Sequence, residues 1–159
     1  MVTKSFSIQF DEYDCLDDLA TQDKNLLYKA IEATNSSYAP YSNFNVGAAL
    51  LLDNNEIITA SNQENIAYPS GLCAERVAIF YANSKFPTSK IITIAIVASV
   101  NGSICDMPTY PCGACRQVMA EAESRSSERI KYIIGGKKRV QIMYGTESLL
   151  PFIFDSLPK

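Results

Sequence analysis

The 159-residue chain contains no histidine. A histidine general base, a serine–histidine pair and a histidine metal ligand are therefore all excluded, although histidine is the usual residue for such roles near neutral pH. Any proton transfer must instead use a carboxylate, a thiol or a metal-bound water. The candidate catalytic and metal-binding residues are therefore the acidic residues and the five cysteines.

The chain also lacks an excess of positive charge. It has 14 Lys and Arg residues against 17 Asp and Glu residues, which gives a net charge of −3 and an isoelectric point near 5.0. Proteins that bind DNA or RNA through its phosphates normally carry a basic face. The longest basic cluster, KKR at 137–139, falls in a predicted hairpin turn. We therefore expect no nucleic-acid partner.

Long apolar runs are missing as well. The first ten residues, MVTKSFSIQF, lack the apolar run of a signal peptide, and no segment approaches the roughly 20 apolar residues that cross a bilayer. We expect a cytoplasmic protein with no membrane partner. In that compartment an odd number of cysteines indicates metal ligation rather than a disulfide framework. Cys15 and Cys105 have no partner at motif spacing and are interpreted as small apolar fillers.

Apolar periodicity predicts a single α/β domain over residues 1–159. Helical spacing predicts helices at about 21–35, 73–83 and 112–123. Strands are predicted at 46–52, 57–60, 91–99, 130–134 and 140–144, and the alternation at 5–10 suggests a further short strand or a packed arm. The first two strands should form a hairpin, and the 91–99 strand, the third helix and the 130–134 strand should form a parallel crossover. Both cysteine groups then lie at helix N-termini on one edge of a mixed sheet, where open α/β sheets bind ligands.

The cysteine groups at these two helix starts are typical of a zinc site. Cys112 and Cys115 have the Cys-x-x-Cys spacing that brings two sulfurs to one ion at about 2.3 Å, and Cys73 adds a third thiol. Three ligands leave the fourth zinc position to water, as in a catalytic site. Glu75 is too close to Cys73 to be an obvious further ligand, and we expect it to shuttle protons.

Three thiolates on Zn²⁺ leave a formal charge of −1, which works against ionising a bound water. The two helix N-termini supply partial positive charge. Arg76 lies one turn after Cys73 on the same helix face and can donate a hydrogen bond to its sulfur. We expect Arg76 to balance the excess charge.

Two other interpretations of the cysteines remain open. The PCGAC run at 111–115 could be a thioredoxin-like redox dithiol, although such a motif has no use for Cys73 and Glu75. A structural zinc module is the other, but it would need a fourth ligand from Cys15, Cys105 or an acid. Enzymatic activity separates the second possibility from a catalytic site.

Short runs in fixed order resemble one enzyme family, the small homotetrameric type of cytidine deaminase. They are YAPYSNF at 38–44, VGAAL at 46–50, NQEN at 62–65, CAER at 73–76, PCGACRQ at 111–117, and LLP at 149–151 followed by Phe154. The resemblance covers Leu26 to Phe154 and leaves residues 1–20 as an N-terminal arm outside it. It implies a three-layer α-β-α domain with a five-stranded mixed sheet.

The resemblance also implies an activity, the zinc-dependent hydrolysis of cytidine and deoxycytidine to uridine and deoxyuridine with release of ammonia, in pyrimidine salvage. Phe44 would stack on the pyrimidine, Asn62 and Glu64 would hold the ribose hydroxyls, and the Ala74 backbone would bind the base edge. Glu75 would pass a proton from water to the ring and later to the departing amine. A related deaminase of another cytosine nucleoside, such as a nucleoside antibiotic, is the alternative.

Members of this family complete their sites with residues of neighbouring subunits. The resemblance implies that Tyr68 and Phe154 of other chains lie close to the pocket. We therefore expect a homotetramer with shared active sites, and a nucleoside as the small-molecule partner.

Overall fold

The computed structural model describes residues 1–156. Its helices and strands follow the periods of the apolar residues. The helices are α1 (Thr21–Ala33), α2 (Ala74–Lys85) and α3 (Gly113–Ser126). The strands are β1 (Asp11–Tyr13), β2 (Phe44–Leu52), β3 (Ile57–Ser61), β4 (Ile91–Val100), β5 (Ser103–Ile104), β6 (Lys131–Gly135) and β7 (Val140–Tyr144). No helix in this part of the chain is both long and apolar enough to cross a membrane.

The strands form one mixed sheet in the order β1-β7-β6-β4-β2-β3, with β5 paired to the end of β4. Strands β2 and β3 form the predicted antiparallel hairpin. Strands β4 and β6 are parallel, as predicted for two strands joined through a helix. The remaining pairs are antiparallel.

The prediction of five strands is wrong, because the sheet has seven over the described residues. The additional strands, β1 and β5, are three and two residues long and carry little sequence signal. The alternating residues at 5–10 form no strand; β1 lies just after them, where the chain meets the edge of β7. Pairing with an available edge, rather than alternation, decides where this strand forms.

The helices cover both faces of the sheet, which gives the expected three layers. Helix α1 packs on one face, and its Leu26, Leu27 and Ala30 join a core with residues of β2, β4, β6 and β7. Helices α2 and α3 pack side by side on the other face, over a larger core that contains Met119 and Tyr132. The sheet is therefore buried on both sides in its centre.

Helix α1 approaches the sheet most closely at Gly47. A Cβ atom placed on Gly47 would lie 2.0 Å from the backbone oxygen of Ala30 and 2.9 Å from the backbone nitrogen of Thr34. Only glycine allows the helix backbone to rest directly on β2 at this point. This contact fixes the position of β2, whose first residue is Phe44.

Candidate active site

The first residues of α2 and α3 bring three cysteines together. Cys73 and Cys112 are the N-cap residues of the two helices, with extended backbones, and Cys115 lies in the first turn of α3. The Sγ atoms of Cys73 and Cys112 are 3.8 Å apart, and those of Cys112 and Cys115 are 3.4 Å apart. All three sulfurs lie within 4.8 Å of one another. The predicted convergence of the two cysteine groups is therefore confirmed.

This arrangement fits zinc. Tetrahedral coordination with Zn–S bonds of about 2.3 Å places two sulfurs about 3.8 Å apart, close to the separations found here. Cys15 and Cys105 do not join the cluster, which is the single group of three or more potential metal ligands among residues 1–156. A closed four-ligand structural site is therefore not built here. Cys73 also lies too close to the Cys112–Cys115 pair for that pair to be read as an isolated redox dithiol.

Glu75 lies beside the thiols but in a buried position. It is 3% exposed in the first turn of α2, and it lines the same cavity as Cys73 and Cys112. Burial raises the pKa of the Glu75 carboxyl, and the neighbouring Cys73 thiolate raises it further. A buried carboxyl with a raised pKa is suited to proton transfer, and the role of Glu75 as a proton shuttle stays a prediction.

Arg76 follows Glu75 and lies one helical turn after Cys73, close to its sulfur. Its Nη2 atom lies 4.0 Å from Cys73 Sγ, at the outer limit of a hydrogen bond to sulfur. A hydrogen bond from the Cys115 thiol and the approach of Arg76 lower the pKa of Cys73 to about 5. A guanidinium in this position is suited to stabilise a thiolate, and the charge-balancing role of Arg76 stays a prediction.

A cavity of about 420 Å³ opens directly over Glu75. This volume is within the usual range for small-molecule sites, about 300–1,000 Å³. Its lining contains six of the residues predicted from the sequence, from four separate parts of the chain: Phe44, Asn62, Glu64, Cys73, Glu75 and Cys112. The structure thereby brings the aromatic, polar, acidic and metal-ligating candidates to one place. Their individual roles toward a substrate stay predictions.

Asn62 holds the start of β2 in place. Its Oδ1 atom accepts a hydrogen bond from the Val46 N–H at 2.8 Å, and its Nδ2 atom donates to the Phe44 carbonyl at 2.9 Å. An amide has four hydrogen-bonding positions, so two remain for a ligand. Asn62 therefore orients the backbone that carries Phe44, a structural role that sequence reasoning missed.

Glu64 is bound to the loop that precedes Phe44. It accepts hydrogen bonds from the Tyr41 N–H at 2.9 Å, from the Ser42 N–H at 3.3 Å, and from the Ser42 hydroxyl. The Ser42 hydroxyl, with the Tyr41 N–H, lowers the pKa of Glu64. Glu64 therefore presents a charged acceptor at the rim of the cavity, suited to a donor such as a sugar hydroxyl.

The remaining predicted residues lie around this centre. Ala74 is fully buried at the start of α2, where backbone N–H groups have no acceptor within the helix. Tyr68 is 76% exposed and lines an adjoining cavity together with Cys73 and Arg76. Phe154 is 68% exposed, and its carbonyl accepts a hydrogen bond from Gln117 of α3. Contribution of the last two to another subunit's site stays a prediction.

Five cavity residues were not among the predicted site residues: Ser42 and Val46, which lie on either side of Phe44, and Ile96, Thr109 and Tyr110. Ile96 is indistinguishable from the other apolar residues of β4. Thr109 and Tyr110 lie just before PCGAC, and their closeness to the cysteine motif is the signal that could have identified them.

Comparison with known proteins identifies a family and relatives to which this chain is similar. Residues 20–130 match the family model described as the cytidine and deoxycytidylate deaminase zinc-binding region. A cytidine deaminase of Halalkalibacterium halodurans is 46% identical over 100 residues, which cover 62% of this chain and 71% of that protein. A cytidine deaminase of Sporosarcina psychrophila is 44% identical over 98 residues, covering 62% of this chain and 68% of that protein.

Solved structures are similar over most of the chain. The crystal structure of cytidine deaminase from Burkholderia pseudomallei has a TM-score of 0.69 and 32% identity, covering 86% of this chain and 100% of that one. The structure of cytidine deaminase from Mycobacterium leprae has a TM-score of 0.65 and 30% identity, covering 84% and 99%.

Proposed function

Since the chain belongs to the cytidine and deoxycytidylate deaminase family, we propose that it hydrolyses cytidine to uridine and ammonia in a zinc-dependent reaction. One observation carries this function: the buried carboxyl of Glu75 and two of the three clustered thiols line the same cavity as Phe44. A metal site, a proton carrier and an aromatic face are thus within one nucleoside-sized space. Deoxycytidine is included in the proposal.

Cys73, Cys112 and Cys115 would hold the zinc ion. When bound there, zinc supplies a Lewis acid that makes water a stronger nucleophile at neutral pH. The chain's own contribution is to fix the thiols at two helix N-termini, whose partial positive charges stabilise thiolates. Arg76 adds a full positive charge beside Cys73.

Glu75 moves the protons. Hydrolysis adds water across the N3–C4 double bond of the pyrimidine, and the amino group on C4 then leaves as ammonia. Glu75 takes a proton from the attacking water, delivers it to the ring nitrogen N3, and then assists transfer of a further proton to the leaving amine. Its burial keeps bulk water from competing for these protons and raises the pKa of the carboxyl, which favours proton uptake.

The other cavity residues would bind the nucleoside. Phe44 offers an aromatic face to the planar base. Asn62 and Glu64 offer amide and carboxylate groups to the ribose hydroxyls, which both donate and accept. The Ala74 N–H, at the start of α2, would bind the base edge.

We extend the proposal to a homotetramer acting in the cytoplasm, where pyrimidine salvage takes place. Several large apolar side chains are exposed in the single chain, among them Ile66, Tyr68, Phe80, Tyr81, Phe152 and Phe154. Exposed apolar groups of this size are typical of interaction surfaces when they are contiguous. Neighbouring subunits would cover them, and light scattering after size-exclusion chromatography measures the mass directly.

The decisive experiment follows the ultraviolet absorbance change when purified, zinc-loaded protein converts cytidine to uridine, with and without a chelator. Turnover that a chelator abolishes and added zinc restores is the expected result. Absence of turnover in protein with one zinc per chain would refute the proposed function.

The variant Glu75→Gln tests the proton shuttle. It should retain zinc and fold but lose kcat by about 10²- to 10⁴-fold, the usual contribution of general acid–base catalysis. Glu121→Gln, an exposed acid-to-amide change on α3, is the matched control and should behave as the wild type. Loss of zinc from Glu75→Gln would instead place Glu75 among the metal ligands.

A further inference from the structure

Three side chains connect the N-terminal strand to the substrate cavity. Tyr110, which lines the cavity, donates a hydrogen bond from its hydroxyl to Oε1 of Gln141. Nε2 of Gln141 in turn donates to Oε2 of Glu12 at 2.8 Å. We call these residues the Tyr110–Gln141–Glu12 chain.

The register of the sheet produces this connection. Glu12 of β1 is paired directly with Gln141 of β7, so their side chains project from the same face of the sheet. Gln141 is only 7% exposed, which makes its hydrogen-bond partners important to satisfy. Arg139 forms an ion pair with the other carboxylate oxygen of Glu12.

The chemistry of Glu12 fixes the direction of the hydrogen bonds. An ionised carboxylate only accepts, so Gln141 must turn its NH₂ group toward Glu12. Its carbonyl oxygen then faces Tyr110, whose hydroxyl must donate. The hydrogen bond from Gln141 also lowers the pKa of Glu12, which keeps this acceptor charged. Each of the two hydrogen bonds that join Tyr110, Gln141 and Glu12 therefore has a defined donor and a defined acceptor.

Tyr110 needs such a contact because 45% of it is exposed, and a side chain this exposed changes rotamer freely unless a directed contact holds it. We propose that Glu12 is a positioning residue for the active site, which holds Tyr110, through Gln141, as a fixed wall of the substrate cavity two residues before Cys112. Glu12 and Gln141 both lie outside residues 20–130, the segment that matches the family model. The inference rests on the proposed function, because it concerns the binding of that substrate.

The test compares four proteins with the wild type: Glu12→Ala, Tyr110→Phe, the double variant, and Asp11→Asn as a control on the neighbouring residue of β1. Loss of one hydrogen bond from an otherwise intact wall should raise KM for cytidine about 2- to 12-fold in Glu12→Ala and in Tyr110→Phe. The dissociation constant for uridine, measured by calorimetry, should rise by the same factor. The kcat should stay within about two-fold, since the thiols and Glu75 are not changed. The control should match the wild type.

The double variant separates positioning from a general effect on stability. If Glu12 acts through Tyr110, adding Glu12→Ala to Tyr110→Phe should raise KM no further. Additive effects, or a Glu12→Ala protein with the KM of the control, would overturn the inference. Tyr110→Phe removes only the hydroxyl group and leaves the ring in place, so an unchanged KM in that variant overturns the inference even if Glu12→Ala fails to fold. A wild-type protein without turnover would refute the proposed function instead.

Discussion

Gly47 allows a sharp test of how the fold holds the site, through the variant Gly47→Ala. The added Cβ atom would lie 2.0 Å from the Ala30 oxygen, whereas ordinary contacts begin near 3.4 Å. Helix α1 and strand β2 must therefore move apart from each other by about 1.4 Å at this point. The atoms nearest to the new methyl are backbone atoms of Ala30 and Thr34, which cannot rotate away as a flexible side chain would.

The cost of this change follows from the packing it disturbs. Overpacking a core typically costs about 1–3 kcal/mol, and a backbone clash of this size should fall at the upper end. For a chain of this length, about 3 kcal/mol corresponds to a fall in melting temperature of roughly 6–12 °C. Since Phe44 begins the displaced strand, KM for cytidine should rise as well.

The assay is urea denaturation of the zinc-loaded proteins, with Gly113→Ala as the control. A Cβ on Gly113 meets no atom within 4 Å, and its place in the first turn of α3 favours alanine, so this variant should be as stable as the wild type or slightly more stable. A loss below about 0.5 kcal/mol in Gly47→Ala would refute the reasoning that α1 rests rigidly on β2.

Three further predictions concern charge and metal. Asp23 is 7% exposed and accepts a hydrogen bond from Lys131 at 2.6 Å. Asp23→Asn should therefore lower the free energy of unfolding, measured in the same urea assay, by about 1–3 kcal/mol. The double variant Asp23→Leu with Lys131→Met should recover much of this loss, because no buried charge is then left unpaired. Arg76→Gln should weaken zinc binding or lower the turnover rate about 10- to 100-fold, as measured by competition with a chelating dye and by kinetics. A variant unchanged in both measurements would refute the charge-balancing role of Arg76. Cys115→Ala should abolish stoichiometric zinc in metal analysis, whereas Cys105→Ala should retain it, and zinc retained by the first variant would contradict the ligand assignment.

The metal site could be predicted from the sequence because its geometry is local. The i, i+3 spacing of Cys112 and Cys115 already places two sulfurs on one side of a helix start, and the βαβ crossover brings α3 beside α2. Only the meeting of Cys73 with this pair depends on the tertiary fold. The regular strands and helices were predictable for the same reason, since each has its own apolar period.

The wall formed by Tyr110 could not be predicted in this way. Its hydrogen bond to Gln141 spans 31 residues, and the bond from Gln141 to Glu12 spans 129. Both depend on the register of β1 against β7, and a slip of one residue would turn Glu12 to the other face of the sheet. A strand of three residues has no periodic signal that could define such a register.

The position of Cys73 and Cys112 at the caps of two different helices has a consequence for the topology of the chain. The two residues are 39 positions apart in the sequence, and one ion bound to both closes the intervening segment, including β4, into a loop. A covalent cross-link that closes a loop of this length stabilises a protein by about 4 kcal/mol. A disulfide could do the same only under oxidising conditions, whereas thiolates joined by a metal form a cross-link that is reversible and persists under reducing ones. In this fold the metal would therefore also act as a cross-link. The supply of metal would then affect the stability of the folded chain as well as the rate of catalysis.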